Sequence, residues 1–213
     1  KEVNKREIVE GVTEEYMDRR IHVLLDYVKE HSPYYKDHPE WTELKDFPVM
    51  TKGDFIENYD QVLVDNSEEQ GKLYRLSTSG STGTPFTVLC DGDKMSRVNM
   101  NFISCMELNG FRMGMKRGEF RAWIKGKNTI SKWKSFKNNL IMVDISNMGD
   151  DSLEKICQDI EKKKIQVLVT YSSALTALTQ YLRKTHRDIS KWDVELVFSM
   201  GEALPQETYD LTK

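Results

Sequence analysis

The alternation of short apolar runs with helical patterns from Leu140 onward constrains the fold more than any other feature. Leu140 to Ile145 has the length and content of a strand. Ser152 then opens a helical pattern with Leu153, Ile156, Cys157 and Ile160 on one face, and Lys162 to Lys164 suit its carboxyl end. Ile165-Gln166-Val167-Leu168-Val169 reads as a buried strand, Tyr171-Ser172-Ser173 as a loop, and Ala174 to Arg183 as a helix with Leu175, Leu178 and Leu182 inward. Val194 to Met200 is the next strand, Gly201-Glu202-Ala203-Leu204 a loop, and Pro205 fits the first turn of a last helix. This β-α-β-α-β-α order predicts parallel strands joined by right-handed crossovers. In open sheets of this kind ligands bind beyond the carboxyl ends of the strands. Both loops fall there, one strand apart if consecutive strands pair. One offers hydroxyls and an aromatic ring, the other a glycine and a carboxylate. Each also has a purely structural reading: Ser173 as a helix cap and Glu202 as the partner of a helix dipole.

A second segment, Arg75 to Cys90, has the composition of an anion cradle. Ser77-Thr78-Ser79-Gly80-Ser81-Thr82-Gly83 is a run of seven hydroxyl or glycine residues, followed by Thr84 and Pro85. Leu73 to Leu76 leads in and Phe86 to Cys90 leads out, both rich in β-branched, aromatic and aliphatic residues, so a strand, a loop and a second strand are expected. Glycines allow close backbone approach, and hydroxyls add donors without bulk or negative charge. The P-loop is excluded, because Gly83 is followed by Thr-Pro rather than Lys-Ser/Thr. The dinucleotide fingerprint fails too, since no helix opens directly after these glycines. Composition alone also fits a flexible linker. Pro85 and the strand-like flanks argue for an ordered loop.

Thr78-Ser79-Gly80-Ser81-Thr82-Gly83-Thr84-Pro85 resembles the phosphate-binding loop of the adenylate-forming enzymes, whose pattern is Thr-Ser-Gly-Ser/Thr-Thr-Gly-x-Pro-Lys. That superfamily includes acyl- and aryl-CoA ligases, luciferases and peptide-synthetase adenylation domains. Phe86 stands where most members carry Lys, a departure similar to the phenylacetate–CoA ligase branch and its capsule-biosynthesis relatives. Ser32-Pro33-Tyr34-Tyr35 and Pro48-Val49-Met50-Thr51-Lys52 resemble segments of the same branch ahead of the loop. Ser199-Met200-Gly201-Glu202-Ala203-Leu204 resembles the Gly-Glu-x-Leu segment that lies against adenine, with Met200 replacing a frequent Gly. Tyr171-Ser172-Ser173 is similar to the Tyr-Pro/Ser-Ser segment near the acyl pocket.

The resemblance implies an α/β fold: the N-terminal part of the adenylate-forming large domain, a mainly parallel sheet with flanking helices plus a β-hairpin carrying the phosphate loop. Residues 1–72 would be its N-terminal helical region and residues 73–213 its α/β nucleotide-binding region. The implied activity joins a small carboxylic acid to ATP, giving an acyl- or aryl-adenylate and pyrophosphate, then passes the acyl group to coenzyme A. ATP would be held by Thr78, Ser79, Gly80, Ser81, Thr82, Gly83 and Thr84, with Ser79 to Thr84 on the β- and γ-phosphates. Gly201, Glu202 and Ala203 would flank adenine, and Tyr171, Ser172 and Ser173 would border the acyl pocket. Mg2+ would accompany the phosphates. Its Glu ligand, the ribose-binding Asp and the C-terminal catalytic Lys are expected beyond residue 213, so the chain is expected to be the N-terminal portion of a longer ligase, poorly active alone. No general base stands out, which suits a reaction run by positioning. The alternative is a non-catalytic nucleotide- or sugar-binding module that kept the fold, with a role in polysaccharide biosynthesis; the missing loop Lys favours it.

Composition narrows the remaining classes. The chain has 213 residues, 38% apolar and 31% charged, ordinary values for a soluble globular protein. A net charge of −3 argues against a dedicated nucleic-acid binder, and no apolar run approaches spanning length, so neither nucleic acid nor membrane is an expected partner. Cys90, Cys105 and Cys157 sit in apolar patterns and read as buried thiols of a cytoplasmic protein, and the four histidines show no metal spacing. A homodimer stays open. Thr13 to Glu30 reads as a helix capped by Thr13, with Met17, Ile21, Leu24, Leu25 and Val28 on one face; Tyr34-Tyr35 reads as a nucleotide-stacking pair or a packed turn. Lys94 to Leu108 reads as a helix capped by Asp93, with Met95, Val98, Phe102, Cys105 and Met106 on one face, and Phe120 to Ile124 as a strand. The basic, aromatic stretch Lys125 to Lys137 is a phosphate or nucleic-acid patch on one reading and a solvated loop or helix edge on the other.

Overall fold

The computed structural model describes residues 2–64, 72–77, 85–126 and 128–213. The chain divides into two compact units, Lys1–Cys105 and Met106–Lys213.

The first unit is helical up to a small hairpin. Helices α1 (Glu2–Glu10) and α2 (Glu14–His31) come first, with Thr13 capping α2 by accepting from the Tyr16 N–H at 3.2 Å. Of the stripe read on α2, Leu25 is buried, whereas Met17 and Leu24 are exposed. Pro33 starts a single turn, α3 (Pro33–Lys36), because proline needs no N–H partner at a helix start. Ser32 is fully buried, and its hydroxyl lies 3.1 Å from the carbonyls of both Gln61 and Val62. Tyr34 and Tyr35 belong to a packed turn: Trp41 lies within about 6.4 Å of both rings, Phe47 packs on Tyr35, and His38 stacks on Trp41 at 3.9 Å. After α4 (Lys52–Glu57), capped reciprocally by Thr51 and Asp54, and α5 (Tyr59–Val62), strands β1 (Tyr74–Ser77) and β2 (Thr87–Cys90) pair antiparallel.

Helix α6 (Gly92–Leu108) starts two residues earlier than expected, with Asp91 rather than Asp93 at its head: the Asp91 carboxylate accepts from the Lys94 N–H at 2.6 Å. Its expected stripe holds at Met95, Phe102 and Met106 and fails at Val98 and Cys105. Ser104 and Met106 are buried and Phe102 and Ile103 half-buried, while Val98 and Cys105 are exposed. The expectation of three buried thiols therefore fails at Cys105; Cys90 is half-buried and Cys157 buried.

The second unit is a parallel sheet with helices. Its elements are β3 (Arg117–Arg121), α7 (Lys132–Lys137), β4 (Leu140–Asp144), α8 (Asp150–Lys163), β5 (Val167–Tyr171), α9 (Ser172–Thr185), β6 (Leu196–Met200) and α10 (Gln206–Leu211). The strands lie in the order β4-β3-β5-β6, all parallel. The core gathers Phe120, Val143, Ile165 and Leu168 of the sheet region against Leu153, Ile156, Cys157 and Ile160 of α8 and Leu178 and Tyr181 of α9. Gly118 is required there, since a Cβ would lie 3.1 Å from the Ile165 side chain. Strand β3 begins three residues before the expected Phe120. Its other face carries Arg117, Glu119 and Arg121, whose charges hide the strand from a hydrophobic pattern; Glu119 is 8% exposed and is bridged to Arg117 at 2.9 Å and to Arg121 at 3.3 Å. Helix α8 is capped by the Gly149 backbone rather than by Ser152, which lies within its first turn.

Helices α8 and α9 are tied at one end by Arg187. Its guanidinium lies 2.6 Å from both oxygens of Glu154 and 3.6 Å from Glu161, and the Tyr181 hydroxyl donates to Glu154 at 2.9 Å. The Gln158 amide, Arg187 and Tyr181 hold the Glu154 carboxyl at about 2, below its ordinary 4.5. Burial pushes the neighbouring Cys157 thiol up to about 11, so it stays an unreactive apolar group near neutral pH. A carboxyl whose folded value is depressed contributes stability above its unfolded value and loses that contribution as pH falls through the folded one. The melting temperature is therefore expected to fall between pH 4.5 and 2, and Glu154→Gln should flatten that fall. An identical slope in the variant would show that other carboxylates govern it.

Candidate functional site

The strand order places one position of the sheet apart from the rest. From β3 the chain crosses to one side, to β4, and from β5 to the other, to β6, so the connections diverge between β3 and β5. Such a switch point, at the carboxyl ends of parallel strands, leaves a crevice for a ligand. Tyr171 ends β5 at this edge. No loop follows it: β5 runs directly into α9, with Tyr171 as the helix cap residue and Ser172 as its first helical residue, which corrects the loop expected at Tyr171-Ser172-Ser173.

The β6–α10 connection closes over the same helix start. Met200 is in register with Tyr171, which brings Gly201 beside the tyrosine. Gly201 has φ +81°, and a Cβ there would fall 3.0 Å from the Tyr171 ring, so the backbone lies directly on the ring. The Glu202 carboxylate accepts from the Ser173 N–H at 2.8 Å. The Ser173 hydroxyl and N–H together hold the Glu202 carboxyl below its ordinary value, leaving it an ionised acceptor near neutral pH. This is the structural reading of Glu202, a carboxylate satisfying an orphan N–H at a helix start.

Behind this surface runs a chain of hydroxyls. Ser172, 1% exposed, donates to the Glu202 carbonyl at 2.9 Å, so the 2.6 Å contact with Ser199 has Ser199 as donor. Thr176 donates to the Ser172 carbonyl at 2.9 Å and lies 2.8 Å from the buried Thr208 hydroxyl. These bonds lock β6, the α9 start and α10 together. Of the six residues picked here from the sequence, Tyr171, Ser173, Gly201 and Glu202 come together at the edge. Ser172 lies beneath them, and Ala203 is exposed beyond them in the connection. An open cavity of about 570 Å3 runs along β6 beside this connection, lined by Leu175, Leu196, Phe198, Ser199, Glu202 and Leu204.

In the first unit, the hairpin brackets the glycine–hydroxyl segment. The last pair of the ladder is Ser77 with Thr87, and their hydroxyls are 2.8 Å apart. The strands flanking the segment are thus ordered and paired. Thr78, Ser79, Gly80, Ser81, Thr82, Gly83 and Thr84 lie outside the described residues. Phe86, at the position where the pattern carries Lys, packs on Phe55 with ring centroids 6.0 Å apart and lines an apolar cavity of about 580 Å3 with Tyr27, Tyr59, Val88 and Leu89.

Three residues at the carboxyl edge escaped the sequence reading. Arg121 ends β3, the Trp123 indole N–H is shared between the carbonyls of Glu119 and Val143 at 3.1 Å each, and Asp144 ends β4, accepting from the Ser146 hydroxyl at 2.7 Å. The available signal was the period-two alternation of charges at Arg117, Glu119 and Arg121, read against Gly118 and Phe120. Among the described residues no group of three or more His, Cys, Asp or Glu side chains is placed to hold a metal ion.

No family model matches the chain. It is 22% identical over 191 residues to Protein CapK of Staphylococcus aureus, a match covering 83% of this chain and 42% of that protein. Among solved structures, 2-hydroxyisobutyryl-CoA ligase in an open conformation, in complex with 2-HIB-AMP and CoA, aligns with a TM-score of 0.61 at 16% identity, over 86% of this chain and 43% of the ligase. The same ligase in its thioesterification state aligns with a TM-score of 0.62 at 16% identity, over 90% and 44%. The chain thus spans less than half the length of each of these relatives.

Proposed function

From a chain that has the fold of the N-terminal portion of an adenylate-forming enzyme, we propose that its protein is an ATP-dependent carboxylate-activating ligase. The acid's oxygen would attack the α-phosphorus of ATP, the bond to pyrophosphate would break, and an acyl- or aryl-adenylate would form. The thiol of coenzyme A would then attack the acyl carbon and displace AMP. The observation that supports this most is the meeting of Tyr171 and Gly201, drawn from two separated segments, beside the switch point of a parallel sheet.

In this reading the adenine plane lies along the flat backbone of Gly201 to Ala203, where a side chain at 201 would intrude. The Tyr171 ring bounds the acyl group. Glu202 holds the loop in place by its bond to Ser173 and does not exchange protons with the substrate. Thr78 to Thr84 supply backbone and hydroxyl donors to the phosphates. Two anions must meet, so the rate comes from fixing them in line and from donors aimed at the charge that develops. Mg2+ would accompany the phosphates and offset their charge in this reading.

A second reading, a non-catalytic nucleotide- or sugar-binding module acting in polysaccharide biosynthesis, is favoured by Phe86, which is anchored against Phe55 where a phosphate-facing cation would stand. Carboxylate-dependent ATP–pyrophosphate exchange, measured on the full-length protein across aryl and aliphatic acids, separates the two. The ligase reading expects exchange with at least one acid. A folded protein that binds ATP yet exchanges with none would overturn it in favour of the module.

A further inference from the structure

The basic, aromatic stretch after β3 has no role in the site above. Between Phe120 and Val143 the chain carries five lysines, one arginine and no carboxylate, although its overall charge is −3. The structure adds what periodicity could not. Helix α7, capped by the Ser131 hydroxyl, exposes Trp133 by 70% and Phe136 by 82%, two of the largest apolar exposures in the described chain. Lys132, Lys134 and Lys137 flank them, all exposed, and none forms an ion pair with another described residue.

A second segment joins this surface. The Asn139 side-chain amide, just past α7, donates to the Gly114 carbonyl at 2.9 Å and holds the turn before β3 against the helix. That turn exposes Met113 by 69%. Lys116, Lys132, Ser135, Phe136 and Met142 line a shallow groove of about 310 Å3 beside α7. Trp133 and Phe136 thus protrude among the lysines of α7, and Met113 protrudes from the turn bonded to Asn139, two residues beyond the helix end.

We propose that α7 and the turn at Met113 form a peripheral docking surface for an anionic lipid bilayer. Aromatic and aliphatic side chains that protrude beside lysines bury their apolar parts at the headgroup boundary while the ammonium groups meet lipid phosphates. A lysine-ringed patch on an otherwise acidic chain supplies the charge complementarity. Single-stranded nucleic acid is the competing polyanion, and it needs open ring faces for base stacking. The Lys137 ammonium sits 5.3 Å from the Trp133 ring centroid and occupies one face of that ring. Exposed Met113 adds apolar area without a stacking face. Both observations favour the bilayer.

The test is cosedimentation of the full-length protein with vesicles of phosphatidylcholine alone or with added phosphatidylglycerol, alongside tryptophan emission. Binding is expected only to the anionic vesicles, with a blue shift, and it should weaken as salt rises. The triple variant Lys132→Glu, Lys134→Glu, Lys137→Glu should bind at least about tenfold more weakly. The double variant Trp133→Ser, Phe136→Ser should lose the blue shift. All five positions are exposed, and unchanged melting temperatures will show that the variants fold. The proposal is overturned if the full-length protein ignores anionic vesicles, if it binds neutral vesicles equally well, if both variants bind as the parent does, or if it binds single-stranded RNA and no vesicles.

Discussion

Gly83→Trp in the full-length protein is expected to reduce carboxylate-dependent ATP–pyrophosphate exchange by about 10²–10³-fold, the size of losing one preorganised donor to developing charge. The melting temperature should stay close to that of the parent. The physical basis is the contrast between the segment and its supports. Its flanks are paired strands, closed at Ser77 and Thr87 by a 2.8 Å hydroxyl contact, and Phe86 is anchored on Phe55. The paired flanks hold the hairpin together, and in the proposed reading the run of hydroxyls and glycines supplies N–H and O–H donors to the phosphates. A bulky ring at 83 lies outside the paired residues 74–77 and 87–90 and would block close approach of a phosphate in the proposed reading. Thr82→Trp should act the same way. Exchange at the parental rate in both variants would remove this segment from the phosphate site.

The second large effect is expected at Gly201. A valine there must adopt φ near +81° and place its Cβ about 3.0 Å from the Tyr171 ring. Backbone strain at a β-branched residue and overpacking each cost on the order of 1–3 kcal/mol. Part of that cost would be relieved by moving the Gly201–Ala203 connection away from Tyr171, which breaks the Glu202–Ser173 bond. Gly201→Val should therefore lower the melting temperature and raise the KM for ATP in exchange. Gly201→Ala should show the same signs at smaller size. The comparison with Glu202→Gln is informative. That variant keeps an acceptor for the Ser173 N–H but loses the charge, so it should cost little stability and leave exchange nearly intact. A large loss of exchange in Glu202→Gln with unchanged melting would assign the carboxylate a part in the chemistry.

How much of this molecule is legible without a structure depends on whether a feature is local. Thr13 caps α2 and Pro33 opens α3 because these depend on residues three or four apart. The inward stripe of α8, Leu153, Ile156, Cys157 and Ile160, was readable because one helix face meets one core. The parallel β-α-β succession follows from the same local periods. Misreadings occurred where a distant partner decides. Strand β3 begins at Arg117 because Glu119 neutralises Arg117 and Arg121 on the sheet, and three charges in five residues do not look like a strand. Tyr171-Ser172-Ser173 reads as a loop in isolation, because serines commonly precede helices. It becomes strand end and helix start because Ser172 and Ser173 find their partners in Ser199 and Glu202, 27 to 30 residues away. Helix α6 buries Met106 as its pattern predicts, but it turns Ser104 inward and leaves Val98 and Cys105 exposed, which its own pattern does not specify.

The sequence by itself determined most of the element types, the strand-flanked glycine–hydroxyl segment and the residue kinds available for chemistry, since these follow from short-range periodicity and backbone preference. Only the tertiary structure decided the strand order that puts the switch point between β3 and β5, the seating of Gly201 on Tyr171, and the use of Glu202 as a cap. Those outcomes depend on which distant groups satisfy one another once water is excluded, and no local window contains both partners.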